Sequence, residues 1–509
     1  MSNDETPLLE KPIRPDLYIA LVAAAGTELE ELKSQLKAQL SGYHYEQETI
    51  KVSALIADFL DIKAKNLEWD DRILKLMDGG DLIRKKMNSG DGVLSLVCAE
   101  IANIRNNSSV DSSIVGNTAF IIDSLKNPEE VKTLDSVYGR NFYTISIFQS
   151  ENSRQKNLEL KIRDSSEDLN SDNISTRAQR LVREDHHRSD RSLSQDVENT
   201  FPEADFFIDA NEDVSQQVKR FVDIIFGHPF KTPTADENAM FAAKAESYRS
   251  CDLSRHVGAV IVGENGNVVA RGCNEVPVPG GGIFVENGNN RIDDNRDYKL
   301  QYDPNLFTIQ ESIKEFIELL ISEEIIIETD KNISSILARK IVSGDLKKKF
   351  ADARLRNLIE FGRVVHAEMH AISEAARQGK QIRGTTLYCT TFPCHGCARH
   401  IISAGIDEVV YIEPYPKSLT SKLYQTEISV EDHDPKGEGR VIFRPFFGVA
   451  PKIYKRVFSY RPRKDKNGTL VQFVKSNAIP LGANYRVTNE TLEKKYSASL
   501  ADLEKKCRP

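Results

Sequence analysis

The stretch from His366 to Cys397, HAEMHAISEAARQGKQIRGTTLYCTTFPCHGC, constrains this chain more than any other. From Val364 to Arg377 the sequence is apolar, alanine-rich and free of Gly and Pro, which predicts a helix. Thr385 to Thr391 (TTLYCTT) is β-branched and aromatic, which predicts a strand ended by Pro393. Cys394 and Cys397 open a second predicted helix, CARHIISAGI, whose first backbone N–H groups favour thiolates. His366 and Glu368 stand at the N-terminal end of the first helix, and both cysteines at that of the second. A catalytic zinc centre needs three protein ligands and an open position for water. His366, Cys394 and Cys397 can supply the three, and Glu368 is left free to move protons.

Two other uses of these residues are weaker. A structural zinc clip would want a fourth side-chain ligand and has no use for Glu368. The spacing of His366 and His370 matches one helical face of an H-E-x-x-H metalloprotease, but here the glutamate follows at the second position and would point elsewhere. His370, His395 and His400 are expected to pack or to face solvent.

At 509 residues the chain should hold two or three domains. Forty per cent hydrophobic and 28% charged residues give a soluble, globular profile with ample core. The formal net charge is −8, and no long run of Lys and Arg appears, which argues against a polynucleotide-binding face. Seven cysteines, none at disulfide-framework spacing, fit a reducing cytoplasm. The polar, acidic start MSNDETPLLEKPIRPD is not a signal peptide, and the acid-broken FIELLISEEIIIE is too short for a membrane span. No membrane partner is expected.

Residues 1–14 read as a flexible tail. From Leu17 an apolar strand, LYIALVAAA, runs into Gly26-Thr27 and a helix, ELEELKSQLKAQL. This opening is similar to a P-loop kinase fold, where a Gly-rich turn and a Lys hold phosphates. The turn is degenerate: Ala23, Ala24 and Ala25 fill it and no Lys follows the Gly. NTAFIIDSLKNPEEVKTLDSVYG and NFYTISIF read as strand, capped helix and strand, so a helix-covered parallel sheet is expected over 15–226. Residues 151–194 are polar and charged, a lid region in a kinase-like fold, and DFFID is a last strand. His228-Pro229 and Pro233 mark a boundary, and a second domain is expected over 227–480. It holds a hairpin, HVGAVIVGENGNVVARGCNEV, a Gly-rich acidic segment ending in DDNRDY, and a helical insertion at about 305–350. Beyond Val441, VIFRPFFGV, YKRVFSY and LVQFV read as short strands, and 481–509 as a charged helix or tail.

HAE at 366–368 followed by PCHGC at 393–397 is the H-x-E…P-C-x-x-C signature of zinc-dependent nucleobase deaminases. With SRHVGAVIV at 254–262 and Gly-Cys-Asn at 272–274, the C-terminal half resembles the cytidine/deoxycytidylate deaminase superfamily. Through SLKNPEEV, NEVPVPGGG, VVHAEMHAI and EPYPKS, the whole chain resembles the bacterial anti-phage dCTP/dCMP deaminases, with a degenerate P-loop kinase-like domain before the deaminase domain. The fold implied is α/β, a kinase-like parallel sheet followed by a deaminase-like α/β/α sandwich. The resemblance implies Zn2+ on His366, Cys394 and Cys397, with Glu368 shuttling protons to the ring nitrogen and the leaving ammonia. Asn274 would bind deoxyribose, backbone near Ala367 would read the base, and Val257 to Val260 would wall the ring. Arg255 and Lys417 are candidate phosphate ligands, and Gly26 and Thr27 mark the degenerate P-loop. The implied reaction takes dCTP or dCMP to the uracil nucleotide and ammonia, depleting nucleotides during phage infection. Mg2+ would accompany a triphosphate, and the DDNRDY loop would help hold it. Such an activity implies a restraint: an effector nucleotide such as dTTP, an inhibitory regulator, or a homo-oligomer interface, for which the 310–328 segment is suited.

Two other functions share these residues. A polynucleotide deaminase acting on tRNA or single-stranded DNA uses the same zinc core, but the acidic balance and the lack of an aromatic and basic stripe oppose it. An inactive nucleotide-binding scaffold has no need of the intact His366, Glu368, Cys394 and Cys397.

Overall fold

The structure, a computed structural model, describes residues 14–507 apart from 64–66, 109–116, 167–169, 188–192, 287–291, 328–329, 331, 351–352, 416–417, 431–438, 483–492, 494–496, 498–499 and 501–502. The chain forms two compact units, Met1–Glu237 with Phe447–Pro509, and Asn238–Phe446. No described helix is long and apolar enough to cross a membrane.

The first unit is built on strands β1 (Leu17–Ala23), β2 (Glu46–Lys51), β3 (Thr118–Leu125), β4 (Phe142–Phe148), β5 (Phe206–Asp209) and a late strand β12 (Gly448–Val449), in the order β12-β5-β4-β1-β3-β2. All pair in parallel except β12, which lies antiparallel to β5. β1 is buried along its whole length because both its faces are covered, which is why it reads as an unbroken apolar run. Leu17, Ile19 and Leu21 point to one core with Leu32, Leu36 and Leu40 of the Glu30–Ser41 helix. Tyr18, Ala20 and Val22 point to the other, with Ile56, Val97, Ile101 and Leu134. Asn127 caps the Pro128–Tyr138 helix in a reciprocal capping box with Glu130.

Two expectations need correction here. Residues 447–480 do not stay with the preceding 200 residues: Gly448 and Val449 extend the first unit's sheet, and Leu481 N–H donates to Ile225 O at 2.9 Å. YKRVFSY is not a strand; Pro451 starts a tight turn that leads into the Tyr454–Phe458 helix, and LVQFV forms only an isolated bridge at Leu470. The charged 151–187 stretch forms two helices, Glu151–Ser165 and Ser171–His187, that bury Leu158, Ile162, Ile174, Ala178, Leu181 and Val182 together. The expected tail lies outside the described residues except Arg14, and of 481–509 only scattered residues are described, among them Leu503, buried in the second of the two cores.

The second unit holds β6 (Gly258–Val262), β7 (Val268–Cys273), β8 (Thr386–Thr391), β9 (Glu408–Glu413), β10 (Ile428–Val430) and β11 (Val441–Pro445), in the order β10-β11-β9-β8-β6-β7. β10, β11, β9 and β8 run parallel, and β6 and β7 form the antiparallel hairpin. The Ala367–Arg377 helix packs Ala367, Ala371 and Ala375 on Ala259, Ile261 and Ala270. Small residues on both sides let helix and sheet approach closely. At Gly272 the approach is extreme: an added Cβ would stand 2.2 Å from Ala367 O and 2.5 Å from Ala371 N. At Gly258 it would meet Ala243 O at 1.9 Å. Backbone on both sides cannot yield as a side chain can, so Gly272→Ala is expected to cost about 3 kcal/mol or more. Thermal unfolding of the variant checks this, and an unchanged midpoint would refute it.

Candidate active site

His366 precedes the Ala367–Arg377 helix as its N-cap residue, in extended backbone. Val365, just before it, exchanges two backbone hydrogen bonds with Glu275, at 3.0 and 3.3 Å. Those bonds tie residues 364–366 to the end of the hairpin, so the helix begins at Ala367 and not at Val364 as its composition suggested. Cys394 is the N-cap of the His395–Ser403 helix, its Sγ accepting from the Cys397 N–H at 3.4 Å. A ligand and a helix cap are thus one side chain.

The sulfurs of Cys394 and Cys397 each lie 3.4 Å from His366 Nδ1, and the three atoms fall within 4.8 Å of one another. Tetrahedral zinc with ordinary Zn–S and Zn–N bonds would separate sulfur from nitrogen by about 3.5 Å. The donor set and its spacing fit zinc. The His366 pKa is raised to about 9, chiefly by the hydrogen bond with Cys394. That of Cys394 falls to about 4, through hydrogen bonds from Cys397 and then His366, while the bond to Cys394 pushes the Cys397 thiol up.

Glu368 is buried in the first turn of the helix, and burial raises its carboxyl above the ordinary range while His366 pulls it back. It lines a cavity of about 440 Å³ together with His366, Ala367, Cys394, Asn274 and Arg255. That volume suits a nucleotide-sized ligand. Asn274 uses its amide on the chain itself: Nδ2 donates to Arg255 O at 2.6 Å and Oδ1 accepts from Val257 N at 2.7 Å. It fixes the 255–257 backbone at the cavity edge. Val257 lines the cavity, whereas Val260 is buried inside β6. His370 is a packing residue, with Nδ1 3.0 Å from Cys273 O and 3.1 Å from Cys273 N.

Lys417 lies outside the described residues. Gly26 and Thr27 belong to the first unit, in the turn after β1. There Ala25 N–H donates to the buried Asp185 carboxylate at 2.7 Å, and Asn157 donates to Gly26 O at 3.0 Å. The turn's amide already has an anion, supplied by the chain. Two arginines of the 151–187 helices are similarly engaged: Arg154 with Ala25 O, and Arg177 with Asp70 and Glu68.

Several cavity residues were not singled out from sequence. Asp303, Asn305, Asn357 and Ile359 come from the two ends of the helical insertion, and Phe392 and Tyr415 from the strand ends beside Cys394. Asp297, in DDNRDY, lines the cavity and pairs with Arg363 at 3.0 Å. Burial raises its carboxyl, Arg363 lowers it, and Asp252 and Asp303 raise it again. Asp297 belongs to the DDNRDY loop already named from sequence, Tyr415 to EPYPKS, and Phe392 adjoins Pro393-Cys394, whereas Asp303, Asn305, Asn357 and Ile359 offered no signal.

Residues 233–413 match the family model described as the cytidine and deoxycytidylate deaminase zinc-binding region. The deoxycytidylate deaminase of Enterobacteria phage T2 is 48% identical over 54 residues, 11% of this chain and 29% of that protein. The human deoxycytidylate deaminase is 41% identical over 90 residues, 18% of this chain and 46% of that protein. This chain thus spans less than half the length of either relative. Among solved structures, the dCMP deaminase of cyanophage S-TIM5 in complex with dCMP and dUMP is 19% identical, over 42% of this chain and 98% of that one, with a TM-score of 0.22. The part of the chain that carries His366, Glu368, Cys394 and Cys397 is therefore similar to the zinc-binding region of cytidine and deoxycytidylate deaminases.

Proposed function

We propose that the second unit hydrolyses the C4 amino group of deoxycytidine nucleotides, giving the uracil nucleotide and ammonia. One observation carries the reading: three ligand atoms at zinc spacing open into a nucleotide-sized cavity beside a buried carboxylate that no metal needs. His366, Cys394 and Cys397 would hold the zinc, which when bound lowers the pKa of its water to about 7. Glu368 takes a proton from the attacking water and hands it to N3 of the ring. It then takes the proton of the new C4 hydroxyl and delivers it to the departing amino group, so the C4–N bond breaks as ammonia leaves and C4 keeps the oxygen as a carbonyl. A carboxyl raised by burial is suited to both steps, because it accepts and releases protons nearer neutral pH than a solvated one. Asn274 holds the 255–257 backbone against the sugar, Ala367 presents backbone to the base, and Arg255 meets phosphate.

Arg255 is the one Lys or Arg among the described residues lining the cavity, and it is set against Asp252, Asp297 and Asp303. A triphosphate would face those carboxylates, so we expect it to enter with Mg2+. The finer reading is that the chain drains dCTP or dCMP in antiviral defence, with a nucleotide effector such as dTTP or an inhibitory regulator restraining it through the first unit. The whole-chain resemblance supports this reading.

Product chromatography on dCTP, dCMP, CTP, cytidine and single-stranded DNA tests the proposal. Uracil deoxynucleotide is expected, with added Mg2+ lowering the KM for dCTP more than that for dCMP. Turnover of DNA alone, or of no substrate by zinc-loaded protein, would sink the reading.

A further inference from the structure

One edge of the cavity is the loop of residues 250–257, which has neither helix nor strand and carries Arg255. A loop of this kind keeps its shape only through the hydrogen bonds its backbone finds. Some of them are local. Asp252 Oδ1 accepts from Ser254 N–H at 2.7 Å and from Arg255 N–H at 3.1 Å, a turn built on the aspartate side chain. That turn shapes the loop but does not attach it to the sheet. Attachment comes from two successive residues at the end of β7. Asn274 holds the far end of the loop, at Arg255 O and Val257 N–H. Glu275 holds the near end, its Oε2 accepting from Cys251 N–H at 2.7 Å.

Glu275 is 1% exposed, and its other oxygen, Oε1, accepts from Val276 N–H at 2.8 Å. A buried carboxylate carries a desolvation cost that an apolar side chain of its size would not. Burial accordingly raises the Glu275 carboxyl, and the Val276 and Cys251 N–H groups and then Arg296 lower it again. Arg296 stands beside the same residue, its Nη1 donating to Cys251 Sγ at 3.1 Å. The end of β7 does not need this side chain, because the backbone of Glu275 is fixed by its two bonds with Val365. Nor does Glu275 line the cavity. What its carboxylate reaches is the start of the Arg255 loop.

We propose that Glu275 is a positioning residue for the nucleotide: by holding Cys251 N–H it sets where Arg255 stands, and so how firmly substrate phosphate is held. The assignment rests on the deaminase reading and on Arg255 as its phosphate ligand. Arg255 is exposed, so the place of its guanidinium follows from the backbone beneath it. With Asn274 at one end of the loop and Glu275 at the other, that backbone has one course. Without the carboxylate, Cys251 N–H must turn to water, and the loop opens from its near end. The zinc ligands and Glu368 lie on other elements and keep their places. The effect therefore falls on binding and spares the chemical step.

Steady-state kinetics on dCMP with the full, zinc-loaded chain test this. Glu275→Leu leaves both N–H groups without an acceptor, and should raise KM about tenfold with kcat within about twofold of wild type. Glu275→Gln keeps one acceptor and should show a smaller rise in KM; it decides the matter by the same measurements if the leucine variant does not fold. Arg255→Ala should raise KM by itself. Adding Glu275→Leu to it should then change KM by less than about twofold, because the arginine whose place was being set is gone. A general loosening of the fold would instead lower kcat or zinc content and would add to the Arg255→Ala effect. Amide hydrogen exchange over 250–257 should quicken in the Glu275 variants and not in Arg255→Ala. A wild-type KM in both Glu275 variants, or an effect of Glu275→Leu that persists in full without Arg255, overturns the proposal alone. A zinc-loaded wild type that turns over neither dCMP nor dCTP sinks the deaminase reading, and this role in phosphate binding with it.

Discussion

Glu368→Ala is expected to lower kcat on deoxycytidine nucleotide by about 10²- to 10⁴-fold, the range for loss of a positioned proton-transfer group. Zinc content should stay at one per chain, because His366, Cys394 and Cys397 are untouched. KM should change little, since the carboxylate is asked to work on protons and not to hold phosphate or sugar. Stability should not fall either. Glu368 is buried with its charged form disfavoured, so removing it relieves a desolvation cost and leaves only a small gap beneath the cavity. A variant that is inactive, zinc-loaded and at least as stable as wild type is the signature of a residue kept for chemistry. Glu368→Gln keeps the shape and separates proton transfer from packing. Wild-type turnover by either variant, measured by product chromatography beside metal analysis, would remove Glu368 from the mechanism.

The core of the site was legible because its parts lie close in sequence. His366 and Glu368 are two apart, Cys394 and Cys397 three apart, and the helix and strand between them follow from composition. The parallel sheet of the first unit was legible for a similar reason: β1 is buried on both faces and is apolar throughout. What could not be read depends on long-range contact. Asp303, Asn305, Asn357 and Ile359 reach the cavity only because the insertion leaves and returns beside it, and none has a local pattern. The return of Gly448 and Val449 to β5 rests on two residues of pairing, too few to leave a periodic signal. The 151–187 helices were hidden by their own surface, since a single buried stripe was outnumbered by Lys, Arg, Asp and Glu. Asn274 lines the cavity, but its hydrogen bonds to Arg255 and Val257 could not be foreseen, because backbone partners carry no sequence signature.

Removal of a single ligand is expected to abolish activity through loss of metal, and the double role of Cys394 makes the effect separable from folding. Cys397→Ala and His366→Ala each leave two ligands, and zinc affinity should fall by more than the roughly 10- to 100-fold seen when only a supporting group is lost. Cys394 both faces His366 and caps the His395–Ser403 helix through the Cys397 N–H. Cys394→Ser puts a good capping oxygen in place of the sulfur while offering zinc a poor ligand. Cys394→Ala removes both, and a lost cap costs about 1 kcal/mol. Chelator-treated wild type and Cys394→Ser should therefore unfold at nearly the same temperature, with Cys394→Ala below both. All three should lack zinc and turnover, and added zinc should restore only the wild type. If Cys394→Ser instead kept stoichiometric zinc and full activity, the metal would have to be held by another set of residues. The 3.4 Å spacing of the His366 nitrogen from each sulfur would then be no more than packing.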